Sequence, residues 1–234
     1  MLDAQVMEAR IAPGTNAVPA WPTVHRPIVP PPAVRQHWAD RVRSFRSEKF
    51  TGGHVVLLGD SLTEGFTPAQ YFPGRPVLNR GINSDLIGNG LDPRDNRGIL
   101  QRLDCPAIDC SATDIFILIG INDLGDGHEL AVMELGYREI LKHLHTCAPA
   151  ARIHVESLLP TRGNFARHNA NIRNFNERLR RLAGEWGDDY LDLHALMQDD
   201  QGELKPAYTR EGLHLNAAGY AVWQAAIQQR LGWQ

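Results

Sequence analysis

Val55-Val56-Leu57-Leu58-Gly59-Asp60-Ser61-Leu62-Thr63-Glu64-Gly65-Phe66 sets four apolar residues against a glycine break and a serine that opens the next turn. So short and wholly apolar a run reads as a strand buried on both faces, the kind found inside parallel sheets. Outward from it the pattern repeats. Pro76–Leu78 is a weaker strand before Gly81, and Asp114–Ile119 is a strong one ending at Gly120. Ile153–Leu159 is another, closed by Pro160, and Tyr190–Leu193 is a short fifth. Helical stripes fall between and around them: Val34, Trp38, Val42 and Phe45 behind Pro32; Leu130, Met133, Tyr137, Ile140 and Leu144; Ile172, Phe175, Leu179 and Leu182; and Tyr220, Trp223, Ile227 and Leu231. Short apolar strands alternating with amphipathic helices predict an α/β domain, a parallel sheet covered on both faces.

The chain has 234 residues, 43% hydrophobic and 22% charged, which is enough to bury a core without disulfides or a structural metal. Its net charge of −3 provides no electrostatic footprint for nucleic acid. No apolar run is long enough to span a bilayer. Three cysteines, Cys105, Cys110 and Cys147, suggest reduced thiols, and the first ten residues lack an apolar signal segment, so the expectation is a cytoplasmic protein. Seven of the fifteen prolines lie between Pro13 and Pro32. Residues 1–32 therefore read as a proline-rich arm or a disordered leader, and 33–234 as one domain. The arm could pack on a neighbouring subunit and make a homo-oligomer.

In parallel sheets ligands bind beyond the carboxyl ends of the strands, and polar residues cluster there. The first strand runs into Gly59-Asp60-Ser61-Leu62, where a serine at a turn start has its hydroxyl exposed beside free N–H groups. Taken alone it is as well read as a helix cap. The second strand ends at Asn79-Arg80-Gly81-Ile82-Asn83, where Gly81 alone is a turn glycine. The third ends at Gly120-Ile121-Asn122-Asp123, where Asn122 could donate to a ligand or merely hold its loop. Near the end, Thr209-Arg210-Glu211-Gly212-Leu213-His214 puts a carboxylate three residues before a histidine, within reach of its ring N–H. A glycine-x-serine-x-glycine sequence is absent, which disfavours a lipase of the α/β-hydrolase kind.

Together these four blocks resemble, in residue type and order, the SGNH (GDSL-type) hydrolases, most nearly their platelet-activating-factor acetylhydrolase-like branch. Residues 55–66 and Asn216-Ala217-Ala218-Gly219-Tyr220 carry the branch resemblance. It implies a three-layer α/β/α sandwich with a parallel, flavodoxin-like sheet of about five strands. It also implies a serine esterase in which Ser61 is the nucleophile, His214 the base and Glu211 the orienting carboxylate. The backbone N–H groups of Ser61 and Gly81 and the side chain of Asn122 would form the oxyanion hole. The family has aspartate where this chain has Glu211, one methylene longer. Asp60 and Asp123 read as scaffolding, and Ile82, Asn83, Leu124 and Leu213, adjoining the motifs, as walls of the substrate pocket. The branch implies short acyl groups, acetyl above all, on a small-molecule ester. An acyltransferase with the same Ser-His centre, or a catalytically weak binding module, shares these motifs. No cofactor and no metal site is expected: His154-Val155-Glu156 lacks the paired cysteines of zinc deaminases, and Asp123 with Asp126 lacks the spacing of a calcium loop.

Overall fold

A computed structural model describes residues 29–49, 52–88, 97–104 and 111–234. Five strands form the sheet: β1 (Val55–Gly59), β2 (Val77–Gly81), β3 (Asp114–Leu118), β4 (Arg152–Glu156) and β5 (Asp189–Leu191). All pairings are parallel, in the order β2-β1-β3-β4-β5. Every residue of β1 and β3 is buried, as expected for strands covered on both faces. The principal helices are α1 (Pro32–Ser47), α2 (Ser61–Glu64), α3 (Pro68–Tyr71), α4 (Ile121–Gly125), α5 (Leu130–Cys147), α6 (Asn169–Trp186), α7 (Leu193–Met197) and α8 (Ala217–Leu231). They flank the sheet in the three-layer, flavodoxin-like arrangement expected. Strand bounds shift slightly: β2 starts one residue later than the sequence suggests and runs on to Gly81, while β4 stops at Glu156.

Helix α1 starts with a proline at its first turn, where the missing N–H has no intrahelical role. Its buried Trp38, Val42 and Phe45 pack on Ile82 as a second small core at the β2 edge of the sheet. Arg41 of α1 also donates to the Gly81 carbonyl at 3.0 Å, which ties the helix to the end of β2. At the other end of the sheet His154 stacks on Phe116 at 4.1 Å and bonds Asp114 (2.9 Å) and Asp189 (3.0 Å), joining β3, β4 and β5. It is a packing histidine. Inside, Glu156 accepts a 2.6 Å bond from Trp223 of α8, and burial pushes its carboxyl up to about 8.

Most of the proline-rich arm, residues 1–28, lies outside the described residues. Cys147 is disulfide-bonded, which corrects the expectation of reduced thiols; Cys105 and Cys110 lie outside the described residues. Disulfides persist in oxidising compartments, so the cysteines do not support the cytoplasmic expectation. No helix among the described residues is long and apolar enough to cross a membrane.

Candidate active site

The strand order reverses at β1, whose neighbours are β2 and β3, and the polar loops converge at that switch point. Gly59 closes β1 because a Cβ there would run into the Leu118 carbonyl and the Thr63 hydroxyl. Asp60 then caps α2 by accepting from the Leu62 N–H at 3.0 Å. Ser61 follows as the first helical residue. Its N–H has no acceptor among the described residues, and its Oγ lies 3.1 Å from His214 Nε2.

His214 comes from a tight turn between β5 and α8. Thr209 and Leu215 bridge across it, Arg210 N–H donates to the His214 carbonyl, and the Thr209 hydroxyl accepts from Gly212 N–H at 2.8 Å. Gly212 sits at φ +103°, and a Cβ there would run into the Arg162 carbonyl. The Arg162 N–H donates to the Gly212 carbonyl at 2.8 Å, and its guanidinium pairs with Asp199 and Glu203. Within this turn Glu211 Oε1 accepts twice, from the His214 backbone N–H at 2.8 Å and from ring Nδ1 at 2.6 Å. The extra methylene is thus absorbed. Burial tends to raise the Glu211 carboxyl, but the two His214 bonds and the ring's charge outweigh it and hold it below its ordinary value. An ionised carboxylate only accepts, so Nδ1 carries the proton and Nε2 presents a lone pair to Ser61. The His214 and Glu211 side chains are 45% and 42% exposed, so the pair is open to water.

Asn122, at the start of α4, donates through Nδ2 to the Asp85 carbonyl at 2.9 Å, which leaves its second amide N–H for a ligand. Gly81 departs from expectation. Its N–H donates to Asn79 Oδ1 at 2.8 Å, and a Cβ there would run into the backbone of Thr63 and Glu64. Gly81 is a glycine for close packing and has no free donor for an oxyanion. Three residues on, Ser84 holds φ +61°, the only non-glycine residue among those described with positive φ, and its N–H has no partner among them.

Asp85 ties these loops together and carried no sequence signal. Its buried carboxylate accepts from Arg102 (2.8 Å) and Trp38 Nε1 (2.9 Å), while Arg102 also donates to the Gly59 carbonyl at 3.0 Å. Partners 17 and 47 residues away cannot be read from local spacing. Burial raises its carboxyl despite Arg102. Asp60 lies in the same buried group: burial, opposed by the Leu62 N–H and assisted by Asp85 and Asp123, pushes it up to about 7. Asp123 accepts from the Ile87 N–H at 3.1 Å and lies 3.3 Å from His128 Nδ1. Glu64 holds His37 at 3.0 Å and also accepts from the Asn83 N–H, with Arg41 at 3.6 Å.

Two of the four expected pocket walls are elsewhere. Ile82 has no exposed surface and packs under α1, and Leu124 is buried in the main core. Ile82, the residue after β2, is taken up by the Trp38, Val42 and Phe45 cluster. Asn83 remains exposed and Leu213 half-buried. Among the described residues no group of three or more His, Cys, Asp or Glu is placed to hold a metal ion.

Comparison with known proteins bears on this geometry. The chain is 28% identical over 195 residues to an N-acylneuraminate cytidylyltransferase of Escherichia coli O18:K1:H7; these are 83% of this chain but 44% of that protein. Among solved structures it is similar to a provisionally named platelet activating factor from Streptococcus pneumonia (TM-score 0.75, 23% identity, 85% of this chain and 94% of that one). A GDSL-like lipase from Bacteroides thetaiotaomicron VPI-5482 matches at TM-score 0.66 and 19% identity, over 84% of this chain and 96% of that one. Est24, a carbohydrate acetylesterase from Sinorhizobium meliloti, matches at 0.62 and 17%, over 77% and 98%. The model of the GDSL-like lipase/acylhydrolase family matches residues 57–222, from within β1 to within α8, and so takes in Ser61, Asn122 and His214 together. With that span matched and the same sheet beneath it, this chain belongs to the GDSL-like lipase/acylhydrolase family.

Proposed function

We propose that the chain is a serine esterase that hydrolyses short-chain carboxylic esters, acetyl esters above all, through an acyl-enzyme. The observation that carries this reading is the bonded series from Ser61 Oγ to His214 Nε2 (3.1 Å) and from Nδ1 to Glu211 (2.6 Å) at the carboxyl edge of the sheet. In this mechanism Ser61 Oγ attacks the ester carbonyl as Nε2 takes its proton, and Glu211 stabilises the imidazolium. The same proton passes to the departing alcohol. Water, activated by Nε2, then releases the acid and restores Ser61. The developing oxyanion is met by the Ser61 N–H and the second amide N–H of Asn122, with the unpartnered Ser84 N–H taking the part first expected of Gly81. Asp60 caps the turn of the nucleophile, and Asp123 holds the loop at Ile87.

The acylhydrolase description of the matching family supports hydrolysis over transfer to another alcohol, and the exposed His214 leaves water a path to an acyl-Ser61. An acylated carbohydrate alcohol suits the reading, in line with the name of Est24, a carbohydrate acetylesterase. The test pairs p-nitrophenyl acetate hydrolysis with fluorophosphonate labelling. A single adduct on Ser61, and loss of both signals in Ser61→Ala with its circular dichroism unchanged, is expected. Full turnover by Ser61→Ala would end the serine mechanism.

A further inference from the structure

The turn that supplies His214 also carries Arg210. Thr209 and Leu215 are antiparallel partners, so the next pair inward is Arg210 and His214, and Arg210 N–H donates to the His214 carbonyl at 3.2 Å. Residues opposite each other across an antiparallel pair project from the same face. Burial follows that alternation: Leu215 is buried, while His214 is half-exposed and Arg210 exposed. The guanidinium makes no hydrogen bond or ion pair with any described residue. Nearby charges are differently placed. Glu211 is bound to His214, Glu64 to His37 and the Asn83 N–H, and Arg162 to Asp199 and Glu203.

Two further observations give direction. Arg210 lies near enough to the Tyr220 phenol to oppose the burial that raises it, and that hydroxyl donates to the Leu62 carbonyl at 2.9 Å, one residue past Ser61. The His214 ring, opposite Arg210 across the turn, meets Ser61 Oγ at 3.1 Å, so the face that carries Arg210 is the one turned toward Ser61. His214 passes its proton to the departing alcohol, so that part of the ester leaves beside His214, where Arg210 stands.

We propose that Arg210 is a specificity-determining residue that binds a carboxylate on the alcohol portion of the ester, making the preferred substrates short acyl esters of hydroxy acids or sugar acids. This rests on the esterase reading and names the substrate class of the same site. A planar guanidinium suits a carboxylate because two N–H groups can be offered in parallel.

The experiment compares kcat/KM for 4-acetoxybenzoate with that for its neutral amide, 4-acetoxybenzamide, in the parent, Arg210→Gln and Arg210→Lys. The quantity read is the ratio of anionic to neutral ester within each protein, which cancels any general damage to the turn. The ratio is expected to fall about fivefold or more in Arg210→Gln, as loss of one partly screened charge-assisted contact implies. Arg210→Lys should keep it within about threefold, and 0.5 M NaCl should lower it in the parent but not in Arg210→Gln. A ratio in Arg210→Gln within about twofold of the parent's overturns the proposal, whatever the absolute rates. If the parent hydrolyses neither ester, the esterase reading falls separately. Binding of 4-hydroxybenzoate by calorimetry then decides: weakening by Arg210→Gln sustains the anion site, and equal binding overturns it.

Discussion

Replacing Glu211 by glutamine isolates its charge from its geometry. Both bonds to His214 end on one atom, Oε1, at 2.8 Å from the backbone N–H and 2.6 Å from Nδ1. The backbone N–H selects an oxygen, so a glutamine amide should present its carbonyl to the ring and keep the productive tautomer. What disappears is the negative charge facing the imidazolium. In a buried triad the aspartate-to-asparagine change costs about 10⁴-fold because the amide imposes the wrong tautomer. Here the tautomer survives, and water screens a pair whose side chains are 45% and 42% exposed. Hydrogen bonds to charged groups contribute about 1.5–3 kcal/mol, and the lower part of that range applies to a screened pair. The expected loss in kcat/KM for p-nitrophenyl acetate is therefore about 10–30-fold, mostly in kcat. Glu211→Ala, which removes the acceptor as well, should lose about 100-fold or more. Glu211→Asp should stay within about tenfold of the parent, since either length can serve this role. The measurements are steady-state kinetics between pH 6 and 9 with active sites counted by fluorophosphonate. A Glu211→Gln enzyme within twofold of the parent would mean the carboxylate does not assist the ring. A loss beyond 10³-fold would mean the amide nitrogen has turned to Nδ1, refuting the argument from the backbone N–H.

Asn122→Ala should lower kcat about 10²–10³-fold with little change in KM, because its second N–H is used in the transition state; a change under threefold in kcat would leave it only the role of holding the Asp85 carbonyl. Gly212→Ala should destabilise the His214 turn and depress kcat together with Tm, because φ +103° and the Arg162 carbonyl both exclude a Cβ; unchanged Tm and kcat would refute the packing. Glu156→Gln tests a buried acid. Its carboxyl is raised from 4.5 to about 8, so the folded state holds a proton that the unfolded state releases, and stability falls as pH rises through that window. The full cost above pH 8 is on the order of 4–5 kcal/mol. Urea melts of the variant should therefore lose about 1.4 kcal/mol less per pH step between 5 and 8 than the parent, and parallel pH dependences would count against the assignment.

Residues 55–58 and 114–119 declared themselves as inner strands because burial on both faces demands wholly apolar runs, and that demand is local. The stripes of α5, α6 and α8 declared themselves for a similar reason, since one apolar face needs a fixed spacing. Ser61, Asn122 and His214 were legible through their motif blocks, and the sheet then brings the three loops to one edge. Gly81 was ambiguous in the sequence because a glycine after a strand looks the same whether it serves a ligand or a neighbour's backbone. Only the approach of Thr63 and Glu64, and the capture of its N–H by Asn79, distinguish the two. Ile82 could not be assigned to the α1 cluster without knowing that α1 packs against the segment that follows β2. The short loop 209–214 allowed Glu211 to reach His214 or to point into water, and only the folded turn, pinned at Gly212 by Arg162, selects the bonded arrangement. The sequence alone determined the five strands, the four long helices and the order of the motif blocks, because periodicity and motif spacing are properties of neighbouring residues. Tertiary structure decided which N–H groups are free, which carboxylates are buried together and where Arg210 stands, because each depends on contacts between segments that only the closed fold makes neighbours.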